Sequence, residues 1–180
     1  KPGGFYLPRF RNLKEKNAKF LRGYGFEGGS GSSMFPGHAF ETPGYGKDFK
    51  KQVRDYSGAF IEMGGFGELL PRYENYVDID PNVKDRWGVP ALRMHITFGE
   101  NEHNMAKDMA EQAKEMFENA GIQIVGVDDH LLTPGWSIHE LGTARMGNDP
   151  RKSVLNQFQQ SHDVPNLLVV DGSSHVSASC

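Results

Sequence analysis

The clearest pattern along the chain is a strict two-residue alternation. Leu92, Met94, Ile96 and Phe98 alternate with Arg93, His95 and Thr97, and upstream Val77 and Ile79 alternate with Asp78 and Asp80. This period places apolar and polar side chains on opposite faces of a strand. The stretch 80–90 joins the two runs and predicts an antiparallel hairpin. Further strands are predicted at Gly4–Phe10, where Pro8 marks an edge, at Lys19–Phe26, and at Ala59–Met63. In Lys19–Phe26, Phe20, Arg22, Tyr24 and Phe26 share one face. Leu21, Gly23 and Gly25 share the other, a nearly bare face that another backbone or a ligand could approach. Gly28–Gly46 reads as a long Gly/Ser/Pro loop.

Helical periodicity appears twice. Phe49, Val53 and Tyr56 stand at i, i+4 and i+7 in Asp48–Tyr56, with Gly58 at the position of a C-terminal cap. From Glu100 or Asn101 to Ala120, a stripe of Met105, Met109, Ala113, Met116, Phe117 and Ala120 predicts an amphipathic helix that Gly121 stops. Ile122–Val127 reads as a buried strand. Asn166–Val170 carries the run Leu167-Leu168-Val169-Val170, the pattern of a strand covered on both faces. The pattern therefore predicts an α+β chain, an antiparallel sheet packed against helices over 1–150. The segment 151–180 belongs to a different, doubly covered α/β unit.

Composition narrows the function classes. The chain has 180 residues, and its formal net charge of −3 comes with no Lys/Arg stripe, which argues against nucleic acid as partner. No window approaches the ~18 consecutive apolar residues of a membrane span, so a soluble protein is expected, with the compartment, cytoplasmic or periplasmic, left open. The single cysteine, Cys180, forms neither a disulfide within the chain nor a metal site alone. No grouping of His, Cys, Asp and Glu has metal-ligand spacing, so no metal is expected. Gly64-Gly65-Phe66-Gly67 lacks the strand–turn–helix setting of a dinucleotide fingerprint.

The chemistry concentrates near the C-terminus. Between His139 and Gly147 lie an imidazole, a hydroxyl, a guanidinium and two glycines besides others. Histidine titrates near neutral pH and can serve as a base. Asp171-Gly172-Ser173-Ser174 follows the apolar run 167–170, where an acid at a strand end can hold a ligand hydroxyl. It also reads as a plain Asp-Gly turn. His95, His103, His130, His162 and His175 read as surface or hydrogen-bonded residues, and His38 lies in the Gly/Ser loop.

His139-Glu-Leu-Gly-Thr-Ala-Arg-Met-Gly147 followed by Asn166-Leu-Leu-Val-Val-Asp-Gly-Ser-Ser174 resembles the C-terminal part of the glucose–methanol–choline (GMC) oxidoreductases. Upstream, Gly67–Pro71, Asn75–Pro81 and Lys84–Pro90 match runs of that family's substrate domain in the same order. The resemblance implies an FAD-dependent oxidoreductase acting on the CH–OH group of an alcohol, sugar or polyol, with dehydrogenase favoured over oxidase. It implies His139 as the general base while hydride passes to the flavin. It places Asp171 and Gly172 beside the cofactor. It also implies a fragment: a substrate-binding domain (1–150) plus a returning segment (151–180) of an incomplete FAD-binding domain. The family's second catalytic His or Asn is expected beyond Cys180. Such a piece is expected to hold no FAD stably and to anchor 151–180 weakly. The electron acceptor carries no signature.

Two other readings stand beside this one. A non-catalytic carbohydrate- or protein-binding module would use Tyr24, Phe26, Phe66, Tyr73 and Tyr76 as stacking surfaces. A hydrolase would use Ser173 and His175, but no acid partner or oxyanion hole is visible.

Overall fold

In the computed structural model, described for residues 3–9, 11–31, 39, 42–55, 60–136 and 138–177, the chain is α+β with two antiparallel sheets. The first sheet has the order β1 (Gly3–Leu7), β2 (Tyr24–Gly31), β3 (Phe60–Gly67). The second is the hairpin β4 (Tyr76–Lys84) and β5 (Pro90–His95). Among the described residues, helices span Gly46–Asp55 (α1) and Glu100–Asn119 (α2), and a 3₁₀ turn spans Gly172–Ser174.

The core forms where α2 lies on the first sheet. Phe20, Tyr24, Phe26 and Met105 are buried, with Leu7, Met63, Met109, Ala113 and Met116 packed around them. Tyr24 and Phe26 meet edge to face at 5.5 Å. Close approach of the helix depends on two glycines of β3. A Cβ on Gly65 would lie 2.8 Å from the Met109 sulfur, and one on Gly67 2.8 Å from Met105 Cε. The flexible methionines fill the irregular space over this bare strand.

Polar staples fix the helix in register. The Tyr24 hydroxyl donates to Asp108, whose carboxylate also accepts from Arg11 Nε at 2.9 Å. Burial pushes the Tyr24 hydroxyl well above its ordinary range, helped by the Asp108 carboxylate, so it remains a donor. At the helix start, the buried Glu102 accepts from the Gly99 N–H at 2.8 Å and the Leu70 N–H at 3.2 Å, and pairs with Arg72 at 2.5 Å. Gly99 is bare for a reason: a Cβ there would meet Arg72 Nη2 at 2.5 Å. Gly121, at φ +69°, ends the helix, with Ile122 N–H bonded to Phe117 O and Gly121 N–H to Glu118 O, a Schellman pair.

The hairpin, α1, α2 and β1 all form, but β1 stops at Leu7, short of Phe10, and β5 stops at His95, short of Ile96 and Phe98. Four expectations shift further. The second strand begins at Tyr24 rather than Lys19, because Arg22 adopts φ +70° and turns its guanidinium to Glu68 at 3.3 Å. That strand continues through Gly28–Gly31, where a loop is predicted, because it pairs with β1 and β3 along its length. Ile122–Val127 is not a strand. No ladder reaches it among the described residues, and Val125 and Val127 are half exposed. Asn166–Val170 is not a doubly covered strand either: only Leu168 forms an isolated bridge, to Gln160, and Leu167, Leu168 and Val170 are exposed. Tyr56, Gly58 and Ala59 lie outside the described residues.

The aromatic platform of the binding-module reading does not exist as such, since Tyr24 and Phe26 are fully buried core residues. Tyr73 is 94% exposed, whereas Tyr76 stacks on His95 at 4.2 Å. His95 Nε2 also faces Asp78, which pairs with Arg93 across the hairpin.

The buried Glu102 should be the most sensitive polar position. Burial alone would raise its pKa, but the Gly99 N–H, Arg72 and the Leu70 N–H outweigh burial and hold it below the usual Glu range. A folded-state pKa below the unfolded one stabilises the fold above about pH 4.3 and loses that contribution as pH falls through the folded value. Glu102→Gln should destabilise the fold by ~3 kcal/mol at neutral pH, because Arg72 loses its partner. Thermal denaturation should show the gap between variant and wild type narrowing below that pH.

Candidate functional site

The site grows from two loops that the chain brings together. The first runs from His139 to Gly147, the second is the turn Asp171–Ser174. Ala144 N–H donates to Ser173 O at 3.1 Å and Met146 N–H to Ser174 O at 2.9 Å. Gly172 sits directly beneath the first loop: a Cβ there would lie 2.8 Å from Leu141 Cδ2 and 3.3 Å from Glu140 O. Gly142, at φ +83°, turns the loop past the carbonyls of His175 and Val176. The residues that sequence reasoning singles out in these two motifs thus belong to one local assembly.

His139 is exposed and has φ +67°. A non-glycine residue in this region is strained, and such strain gathers at functional sites. Its imidazole makes no hydrogen bond among the described residues, so both ring nitrogens are available. Asp171 is likewise exposed. Its Oδ1 accepts from the Ser173 N–H at 3.1 Å and from the Ser173 hydroxyl, and these donors hold its carboxyl below the usual range. Its Oδ2 accepts nothing among the described residues and is free to take a ligand hydroxyl. The Ser173 hydroxyl is committed to Asp171, and among the described residues no hydrogen bond links it to His175, so the hydrolase arrangement is not assembled.

Backbone hydrogen bonds tie the stretch 145–170 to this assembly. Gly147 N–H donates to Leu155 O at 2.8 Å, Val154 and Leu155 N–H to Arg145 O, and Ser161 N–H to Leu167 O at 2.9 Å. Local turns satisfy these backbone groups in place of a ladder, and Leu155 is fully buried among them. His162 is structural. Its Nε2 lies 3.0 Å from Gly147 O and 3.1 Å from Ser153 Oγ, whose own hydrogen goes to Asp149 O. Nε2 therefore carries the hydrogen.

The other candidates lie apart. His103 is exposed on the first turn of α2. His38 and Cys180 lie outside the described residues. Asp128, Asp129 and His130 form an exposed group whose ligand atoms lie within 4.8 Å of one another, a proximity the sequence reading missed. Asp128 pulls the His130 imidazole above its ordinary pKa through their hydrogen bond and charge. An open groove of about 760 Å³ crosses the first sheet, with Tyr6, Glu27, Gly29, Glu62 and Gly64 among its lining; no residue of 139–175 contributes to it.

The residues present fit a flavin at the clasped loops by their chemistry. They offer an unengaged imidazole, a carboxylate oxygen without a donor, and a turn held at fixed register. Sequence reasoning missed Gln159 behind that turn; Ser174 and Gly142 stand within the two motifs, without the burial and the positive φ that the structure gives them. Gly142 had a signal, the Leu-Gly-Thr turn; Gln159 had none.

Comparison with known proteins gives concordant matches. The sequence model described as GMC oxidoreductase matches residues 71–180. A 2-methyl-1,2-propanediol dehydrogenase of Mycolicibacterium austroafricanum is 35% identical over 166 residues, covering 89% of this chain and 30% of that protein. A gluconate 2-dehydrogenase flavoprotein of Pantoea cypripedii is 33% identical, covering 74% of this chain and 23% of that protein. A C-glycoside 3-oxidase of Arthrobacter globiformis is 30% identical, covering 62% and 22%. The chain spans less than a third of the length of these relatives.

Overpacking the clasp should loosen it. Gly172→Val should cost about 1–3 kcal/mol, since the added carbons meet Leu141 and the Glu140 carbonyl. Gly172→Ala should cost less. Denaturant unfolding of the two variants measures the order.

Proposed function

The chain belongs to the GMC oxidoreductases, and from that membership we propose that it forms the substrate-binding part of an FAD-dependent enzyme oxidising the CH–OH group of an alcohol, sugar or polyol. The names of the similar proteins support this substrate range, since they act on a diol, gluconate and C-glycosides. They include both dehydrogenases and an oxidase, and we favour a dehydrogenase.

The single observation that carries the reading is the clasp of the His139 loop on the Asp171 turn through the Ala144 and Met146 amides. In the proposed reaction the His139 imidazole accepts the proton of the substrate hydroxyl. Its unengaged nitrogens and exposure suit that task, and a positioned base contributes roughly 10²–10⁴-fold. Asp171 Oδ2 would accept a hydroxyl of the bound cofactor, while Gly172 lets the turn sit against the loop. When bound, the flavin supplies the acceptor for the hydride, chemistry that belongs to the cofactor. The two amide bonds hold the loop and the turn side by side.

We assign 1–150 to the substrate-binding domain and 151–180 to a returning segment of the flavin domain. The exposed run Leu167, Leu168 and Val170 supports this, because such a patch is costly in water and suits coverage by further chain. On this reading the 180 residues alone hold no FAD stably, and the complete protein does.

The test uses the complete protein. It should purify with bound flavin, and His139→Asn, a residue that tolerates the left-handed backbone, should retain the flavin. Its kcat should drop by ~10²–10⁴. Undiminished turnover in that variant would take His139 out of the reaction.

A further inference from the structure

We propose that Gln159, acting through Ser174, is a positioning residue for this site: it holds the Asp171 turn in register against the His139 loop. The proposal rests on the reading of that site as the catalytic one. Gln159 is one of four non-glycine residues with φ between +55° and +70° among the described residues, the others being Asn12, Arg22 and His139. Its backbone lies in the turn 156–160, where Gln159 N–H donates to Asn156 O at 3.0 Å.

From that conformation Gln159 grips both ends of the segment that carries Asp171. Its carbonyl accepts from Val169 N–H at 3.0 Å, before the turn. Its side-chain Nε2 donates to Ser174 Oγ at 3.0 Å, after the turn. Ser174 is fully buried, so its hydroxyl has no access to water. The hydroxyl passes its own hydrogen to Asp171 O at 2.8 Å, and the Ser174 carbonyl accepts from Met146 N–H. One chain of bonds therefore runs from the Gln159 amide through the Ser174 hydroxyl to the Asp171 backbone, and from the Ser174 carbonyl to the loop that begins at His139. The Ser174 hydroxyl in it accepts one hydrogen, from Gln159, and donates its own to Asp171 O. A buried hydroxyl that loses its donor is destabilised in place, and the turn is free to shift. A shift of about 1 Å at a reacting group is enough to lower a rate by ~10²-fold. Gln159 touches neither His139 nor the Asp171 carboxylate, which makes its role one of placement.

The test compares wild type, Gln159→Met and Gln159→Glu in the complete protein. Methionine keeps the length and removes the donor. Glutamate removes the donor when ionised and restores it as an O–H when protonated. Hydrogen exchange followed by mass spectrometry should show the 139–147 peptide, which holds the Ala144 and Met146 amides, exchanging at least ~10-fold faster in Gln159→Met. Peptides of α2 should be unchanged. In the same variant kcat should fall by roughly tenfold or more at little-changed KM. Gln159→Glu should regain protection of that peptide as pH is lowered, a pH dependence absent from wild type and from the Met variant. Should Gln159→Met fail to fold, the pH-dependent rescue of Gln159→Glu decides alone. Unaltered exchange at 139–147, exchange that quickens with kcat intact, or a Glu variant blind to pH each overturns the proposal. The exchange measurement does not depend on flavin: a wild-type protein without flavin or turnover defeats the functional reading, whereas a protected 139–147 peptide in the Met variant defeats this one.

Discussion

The burial of Ser174 is the constraint from which the candidate site follows. A serine sealed from water must satisfy its hydroxyl, its N–H and its carbonyl within the protein. Ser174 does so with Gln159, the Asp171 carbonyl and Met146. Those partners come from three separate stretches of chain. Satisfying one small residue thereby fixes the relative position of the loop that carries His139 and the turn that carries Asp171. The two chemically capable groups stay at the surface while the scaffold beneath them is dry, a division of labour that suits a site built to meet a ligand.

At the start of α2 the same logic operates with charge. Glu102 is sealed between the start of α2, the Leu70 amide and the Arg72 guanidinium. Its bonds set where the helix begins, and Tyr24 and Arg11 on Asp108 set its rotation over the sheet. The methionines of α2 then settle over the bare glycines of β3. Apolar burial drives this association, but the buried polar groups select one register among the many that flexible methionines would accept.

Legibility in the sequence followed the range of the interactions. The hairpin and α2 were readable because their side-chain periods are local, as in Leu92–Thr97 and the Met105–Met116 stripe. The second strand was misjudged at both ends: at Lys19 because Arg22 is left-handed, and beyond Gly28 because glycine carries no strand preference while ladder pairing with Ile61, Met63 and the β1 residues imposes one. Asn166–Val170 has the composition of a covered strand, yet composition does not supply a neighbour, and among the described residues its backbone partners are Val164 and the short stretch 159–161. Of the site, His139, Asp171 and Gly172 were legible as motif residues. Their juxtaposition was not, because it runs through Ser174 and Gln159, whose roles depend on burial and a positive φ that no spacing rule encodes.

The two strained residues of the C-terminal region make a single argument. His139 and Gln159 both adopt left-handed backbone without being glycine, a conformation that persists only where surroundings over-determine it. Around Gln159 the determinants are visible as three hydrogen bonds on its amide, carbonyl and side chain. Around His139 none is visible on the imidazole itself; its backbone is held indirectly, by the clasp that begins five residues later at Ala144. Strain that is firmly paid at Gln159 and only loosely restrained at His139 leaves the latter poised: the imidazole can adjust to a ligand while the turn beneath it cannot. On the proposed function, a base that meets a substrate hydroxyl beside a carboxylate held in place would use this asymmetry, which one buried serine and one glutamine support.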